Sequence, residues 1–325
     1  EMIMVYANLN LQFLEYIDHV LPGLIVHCKS EEEGVRSMVS ECIGALLIMH
    51  GDKIIEPLLN VLENLEDKFS RRSISTSIRH FLSRHAQKVD CSLSIQDVLT
   101  SSRIDSLLSL LSDSDLEVQR SALLMVNAAI RHQADLIRGK LRESVIPILF
   151  NIMQFKQERV VDLGPFKHKV DDGLPLRKAA LVSIESIIDV VPGYLDINHF
   201  ISKLVPRLSD KDEIKMQSHQ ILSKFCSYAP SSLVGSLDLF IDPLLKTISK
   251  NPSKDGQAGP EIERAIDLIR SGVKVVVLIN KIQEANVNRN WVDFVEKVKA
   301  NDNVNTMFNE IEKDDSLLLP SFVEL

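Results

Sequence analysis

His27 and Cys28, followed by Cys42, are the nearest approach in this chain to a metal-binding set. A structural zinc needs four ligands, usually in short pairs, and no fourth Cys or His stands at a matching distance. The expected reading is core thiols beside a helix-end histidine. His80 and His85 are five residues apart, off a common helical face. Asp171-Asp172-Gly173 offers two carboxylates for acid–base work, but Asp-Asp-Gly ahead of a helical pattern is first of all turn chemistry. The chain has no Gly-rich phosphate loop, no nucleophile elbow and no helix with paired histidines. The residues predict no catalysis, no metal and no cofactor.

Two stretches suit binding instead. Between residues 68 and 88, Lys68, Arg71, Arg72, Arg79, Arg84 and Lys88 carry six positive charges without an acidic residue, in a chain of net charge −8. Ile74, Ile78 and Phe81 mark the buried side of that helix. The exposed side is a solvated basic face or a secondary docking surface, formed by Arg71, Arg72, Arg79, Arg84 and Lys88, for an acidic partner. The overall negative charge argues against nucleic acid. The second stretch, VVDLGPFKHKVDDGLPLRKAA at 160–180, alternates apolar and polar residues around Gly164-Pro165. That pattern predicts a β-hairpin. Two five-residue strands would reach about 17 Å, with Leu163, Pro165 and Phe166 at the tip beside Lys167, His168 and Lys169. An isolated hairpin is marginal in water, so an exposed aromatic on one suits docking. The candidate partner-binding set is Val161, Leu163, Gly164, Pro165, Phe166, Lys167, His168, Lys169, Val170, Asp171 and Asp172.

The elements that must position these stretches are helical. Hydrophobic residues are 45% of the chain and aromatics only 5%, so Leu, Ile and Val carry the core. Five prolines recur among large aliphatics, at Pro22, Pro57, Pro147, Pro206 and Pro243, which suggests a repeated kinked helix. A second helix follows most of them, opened by a turn and an aliphatic-basic pair ending at Arg36, Arg120, Arg177 or Lys215. Helix pairs at about 40 residues are the signature of HEAT repeats. The fold class is therefore all-α, a HEAT-repeat α-solenoid of about six helix pairs with one inserted β-hairpin, stacked as one domain. Pro22 to Arg36 and Pro57 to Arg71 are both 14 residues, whereas Pro147 to Arg177 is 30. The surplus of 16 matches residues 158–173, so the hairpin is an insertion between the helices of one repeat. The expected organisation is a solenoid over 1–250, a Gly/Pro-rich linker at 251–259, closing helices over 260–314 and a mobile tail at 315–325. Four widely spaced cysteines, Cys28, Cys42, Cys91 and Cys226, suggest reduced thiols in an intracellular protein. The longest apolar runs are too short to span a bilayer, and the start at Glu1 without Met suggests part of a longer chain.

GPFKH-x-VDDG followed by RKAA closely resembles the hairpin repeat of the cullin-associated, neddylation-dissociated proteins, also described as TATA-binding-protein-interacting proteins. HCKSEEEGVRSMVSECIG at 27–44, LSDSDLEVQRSAL at 111–123 and ADLIRGKLRESVIPIL at 134–149 add to the resemblance, which runs along nearly the whole chain but only over the family's C-terminal part. The resemblance implies a regulator of cullin–RING ubiquitin ligases that binds the unmodified cullin's N-terminal domain, competes there with substrate adaptor and promotes substrate-receptor exchange. It implies a role in adaptor competition for Gly164, Pro165, Phe166, Lys167, His168, Val170, Asp171, Asp172 and Gly173, and action in cytoplasm and nucleus. The family's N-terminal repeats, which cover the cullin lysine that receives the modifier, have no counterpart here. The expectation is thus a fragment, or a chain working with a separate N-terminal half. Two alternatives are a transcription-linked HEAT scaffold contacting the TATA-binding protein or nucleic acid through 68–88, and a generic HEAT adaptor, which would not predict this hairpin.

Overall fold

Apolar residues three and four apart give each helix one stripe that only a neighbouring helix can cover, and the computed structural model shows how the stripes are matched. It describes residues 16–62, 67–87, 94–163, 166–250 and 259–314, which divide into two compact units, Glu1–Leu195 and Asp196–Leu325. In the first unit the elements are α1 (Ile17–His27), α2 (Glu33–Leu62), α3 (Lys68–His85), α4 (Ser101–Ser109), α5 (Leu116–His132), α6 (Ile146–Ile152), β1 (Glu158–Leu163), β2 (Phe166–Asp171) and α7 (Leu174–Val190). His50 has non-helical angles (φ −148°, ψ 47°) and splits α2 into two helices, 33–49 and 51–62. With α2 counted as two helices, eight helices make four pairs along the chain, and the packed elements are α1 on α2, α2 on α3, α4 on α5 and α6 on α7. The second helices pack in sequence, α2 on α3, α3 on α5 and α5 on α7.

Ile74, Ile78 and Phe81 are buried, as their spacing predicts, against α2 and α5. Small residues let the helices close. Ser70, Ser73, Ser75 and Ser77 of α3 are all buried, and the Ser77 hydroxyl donates to the Ser73 carbonyl at 2.8 Å. Ser40 of α2 donates to the same carbonyl at 3.0 Å. A Cβ on Gly44 would stand 2.7 Å from the Cβ of His80, so α2 and α3 approach each other only because that position has no side chain. Asp67 and Asp115 start α3 and α5 by accepting two backbone N–H groups each.

The repeated prolines act in two ways. Pro22, Pro57 and Pro243 lie inside α-helices. Pro147 instead follows a π-turn at Leu141–Val145, and Pro206 opens a 3-10 turn at Val205–Ser209. Proline supplies no N–H to the helical ladder, and at those two places the winding changes around it.

The second unit contains α8 (Ile197–Leu204), α9 (Asp212–Tyr228), α10 (Leu237–Ile248), α11 (Gly259–Asn280), α12 (Arg289–Lys299) and α13 (Asp302–Lys313). α8 and its 3-10 extension pair with α9, and α10 pairs with α11. These bring the described pairs to six, with α12 and α13 as a closing pair. The long helix expected from Pro260 and the two short amphipathic helices after it are α11, α12 and α13. Gly259, expected in the linker, opens α11, while 251–258 and the tail at 315–325 lie outside the described residues. His219 of α9 is 1% exposed. Its Nδ1 lies 2.8 Å from the Ser271 hydroxyl, which donates its own proton to the Leu268 carbonyl at 2.7 Å. The imidazole is therefore the donor, and Nε2 has no partner among the described residues. Burial, then the charge of Lys215, pushes its pKa down to about 4. No helix among the described residues is long and apolar enough to cross a membrane.

Candidate functional site

The hairpin is an antiparallel pair inserted between α6 and α7, and those two helices still pack on each other beneath it. The register pairs Glu158 with Asp171, Val160 with Lys169, Asp162 with Lys167 and Leu163 with Phe166. Both strands have six residues, one more than the alternation suggested. Gly164 and Pro165, and the side chains of Leu163, Phe166 and His168, lie outside the described residues. Val160 is 65% exposed and Val170 37%. Lys167 and Lys169 are exposed and Val161 is half-buried, and Lys169 forms an ion pair with Glu158 across the strands.

Asp171 has its side chain turned into the protein and is 5% exposed, unlike the exposed Lys167, Lys169 and Val170. It accepts from Arg177 at 2.6 Å and from the Gly173 amide at 3.1 Å. Arg177 of α7 is fully buried, and its second terminal nitrogen donates to the Phe155 carbonyl at 2.8 Å. Burial pushes the Asp171 pKa up, but the Arg177 hydrogen bond and charge, with the Gln157 and Gly173 amides, outweigh it and hold it below the ordinary carboxylate value. Asp172 donates its amide to the Gln157 carbonyl at 2.8 Å and receives Arg159 on its carboxylate at 2.6 Å. The hairpin base is thus a closed socket of Phe155, Gln157, Asp171, Gly173 and Arg177. The socket fixes the direction in which the strands leave the stack, which an unsupported pair would not hold.

Gly173 completes the socket. A Cβ there would lie 2.8 Å from the Phe155 carbonyl oxygen and 3.2 Å from Arg177. Gly173→Ala is expected to cost about 1–3 kcal/mol in urea unfolding, because backbone must move to admit the methyl group. Gly34→Ala, at a helical glycine with open space around it, should cost nothing. Equal effects of the two would show that the close approach does not matter.

Sequence reasoning missed Gln157 and Phe155. Their contributions are main-chain atoms, which carry no side-chain signal. Arg177 had a signal, the basic residue that follows the opening turn of the second helices. Arg36 repeats it: buried, it donates to the Ser30 and Glu31 carbonyls, both at 2.7 Å.

The basic stretch is largely neutralised within the chain. Arg71 is not a surface residue; it is 3% exposed and grips Asp113 with two nitrogens, at 2.7 and 3.1 Å. Arg84 meets Glu41 at 2.5 Å, Lys68 lies 3.5 Å from Asp115, and Arg72 lies 3.5 Å from Glu117. Arg79 is half-buried, and Lys88 lies outside the described residues. A row of free cations, which a phosphate backbone requires, is not what α3 presents.

No cluster of three His, Cys, Asp or Glu that could hold a metal occurs among the described residues. Cys28 and Cys42 are buried and Cys226 partly so. Burial, then the Asp67 charge, pushes the Cys28 thiol up to about 12, and burial does the same at Cys226. These are protonated core thiols. Cys91 lies outside the described residues.

The family model described as "TATA-binding protein interacting (TIP20)" matches residues 136–299, a span that includes the hairpin and its socket. The Cullin-associated NEDD8-dissociated protein 1 of Arabidopsis thaliana is 34% identical over 287 residues, 87% of this chain and 22% of that protein. Its counterpart from Drosophila melanogaster is 30% identical over 305 residues, 93% of this chain and 24% of that protein. A relative from Emericella nidulans described as the C-terminal part of such a protein is 29% identical, covering 83% of this chain and 26% of its own length. The chain therefore spans about a quarter of the length of the curated relatives it matches. Yeast importin-beta (Kap95p) has the same kind of fold, with a TM-score of 0.65 at 14% identity over 92% of this chain and 35% of that one. The described helix pairs form a HEAT-repeat solenoid with one inserted hairpin, and the chain belongs to the TATA-binding-protein-interacting family of cullin-associated, NEDD8-dissociated proteins.

Proposed function

We propose that this chain is a non-enzymatic regulator of cullin–RING ubiquitin ligases. It binds the N-terminal domain of an unmodified cullin, in cytoplasm and nucleus, with the hairpin as the element that competes with substrate adaptor. Each ligand then weakens the other's hold by the same free energy, and substrate receptors exchange. A separate N-terminal half of the same family is one candidate co-partner, since a relative from Emericella nidulans is itself described as a C-terminal part. The observation that carries the reading is the socket. A hairpin with exposed Val160, Lys167 and Lys169 is held at a fixed direction by a buried Arg177–Asp171 pair, and a pre-ordered projection loses little entropy on docking.

The test is binding of the chain to an unmodified cullin N-terminal domain, with and without adaptor, beside a variant in which 161–170 is a Gly-Ser loop, so that Asp171 still meets Arg177. The wild type should bind, the adaptor should compete, and the loop variant should lose the competition. Phe166→Ala should cost about 2 kcal/mol, roughly thirtyfold in Kd, since aromatic anchors dominate interface energy. Unchanged affinity in both variants would remove the hairpin from the interface. Absence of binding even when the N-terminal half is added would remove the cullin.

A further inference from the structure

α2, α3 and α5 of the first unit enclose a cleft of about 220 Å³. That is smaller than the ~300–1,000 Å³ typical of cofactor and small-molecule sites, and it suits one side chain. Four arginines and one glutamate line it: Arg36, Arg72, Arg79, Arg120 and Glu33. Three of the arginines are committed or partly so. Arg36 holds two carbonyls and lies over the Phe69 ring at 4.7 Å. Arg72 faces Glu33 at 3.9 Å and Glu117 at 3.5 Å, beyond hydrogen-bond length. Arg120 reaches the same Glu117 only at 3.7 Å. Arg79 has no carboxylate and no hydrogen bond among the described residues, although it is half-buried. Burial, then the like charge of Arg120, lowers its pKa. The Thr76 hydroxyl, one turn away in the same cleft, also makes no hydrogen bond among the described residues.

A guanidinium drawn partly out of water beside a second one, with no anion supplied by the chain, is an unfavourable arrangement alone. A carboxylate that enters from outside reverses it, since Arg–carboxylate contacts are charge-assisted and forked. We propose that this cleft is a docking site for an acidic peptide segment of a protein partner, with Arg79 and Arg120 receiving one Asp or Glu side chain and Thr76 donating to it. The rim favours a peptide over a nucleic acid. Glu33 is 84% exposed and Glu117 49%, and a phosphate backbone, with a charge on every nucleotide, would meet both, whereas a peptide can present one carboxylate among uncharged residues. The site is separate from the hairpin, and its test does not depend on the cullin reading.

The test titrates the full chain, at low salt, into a fluorescein-labelled peptide of alternating Glu and Gly. A Gln-Gly peptide and a single-stranded oligonucleotide of equal length serve as comparators. The Glu peptide should bind and the Gln peptide should not. Arg79→Gln and Arg120→Gln should each weaken binding about tenfold, with helical content unchanged by circular dichroism. Arg79→Lys should lose less than Arg79→Gln. Arg138→Gln, at an exposed arginine paired with Asp135, should change nothing. The proposal is overturned if the Glu peptide binds no better than the Gln peptide or is indifferent to Arg79. It is equally overturned if the oligonucleotide binds more tightly than the Glu peptide and through Arg79.

Discussion

Replacing Arg177 by Met should destabilise the first unit by about 3–5 kcal/mol, the usual cost of removing one partner from a buried ion pair. The side chain is fully buried and Asp171 is 5% exposed, so the substitution strands a carboxylate in the interior and leaves the Phe155 carbonyl without its donor. Arg159→Met, which breaks the exposed pair with Asp172, should cost about 0–1 kcal/mol. Urea unfolding of the two variants measures the contrast, and similar losses would show that the Arg177 pair is not buried in solution. Adding Asp171→Leu to Arg177→Met should recover much of the loss, because the stranded charge, not the missing attraction, is the larger cost. The pH profile carries the same sign. The Asp171 pKa is held below its ordinary value, so its contribution is fully present above about pH 4 and is lost as pH falls through the folded-state pKa.

Acidification from about pH 6.5 to about pH 4 should cost the second unit roughly 3 kcal/mol through His219, at about 1.4 kcal/mol per pH unit. With a folded pKa of about 4 against an ordinary value near 6.5, the unfolded chain takes up its proton first. Stability is complete above about pH 6.5 and falls as pH drops toward the folded value. The physical cause is burial of an imidazole whose Nε2 meets no acceptor among the described residues. Trp291, the only tryptophan of the chain, is fully buried on α12 and reports this unit by fluorescence. The difference between wild type and His219→Phe, followed by urea unfolding at several pH values, isolates this one group. A variant whose pH slope equals the wild type's would show that His219 is protonated in the folded state.

The hairpin and its place between two helices were readable because strand alternation differs from the three-and-four spacing around it, and because Pro147 to Arg177 is 16 residues too long. What holds the hairpin was not readable. Asp171 looks like one more turn aspartate, and its inward orientation depends on Arg177 and on two main-chain groups. The basic stretch misled for a similar reason: Arg71 and Asp113 are 42 residues apart, and nothing local reveals that one cancels the other. Arg79 carries the same letter in the sequence as Arg71, yet only the packing of three helices shows that it lacks an anion. The split of α2 at His50 does have a local signal, the Gly51-Asp52 pair that follows it, but the apolar periodicity on both sides conceals it.

The hydrogen bond from Asp172 to Gln157 brings the two ends of the inserted segment together before the strands begin. Closure is therefore complete at the base, and the segment beyond it can change in length or composition with little effect on the repeats. Each doubling of a closed loop costs only about 0.6 kcal/mol. The socket behaves as a graft point. A foreign recognition peptide placed between residues 158 and 171 would be displayed on an unaltered scaffold, and new binding preferences could arise there without disturbing the helices that carry them.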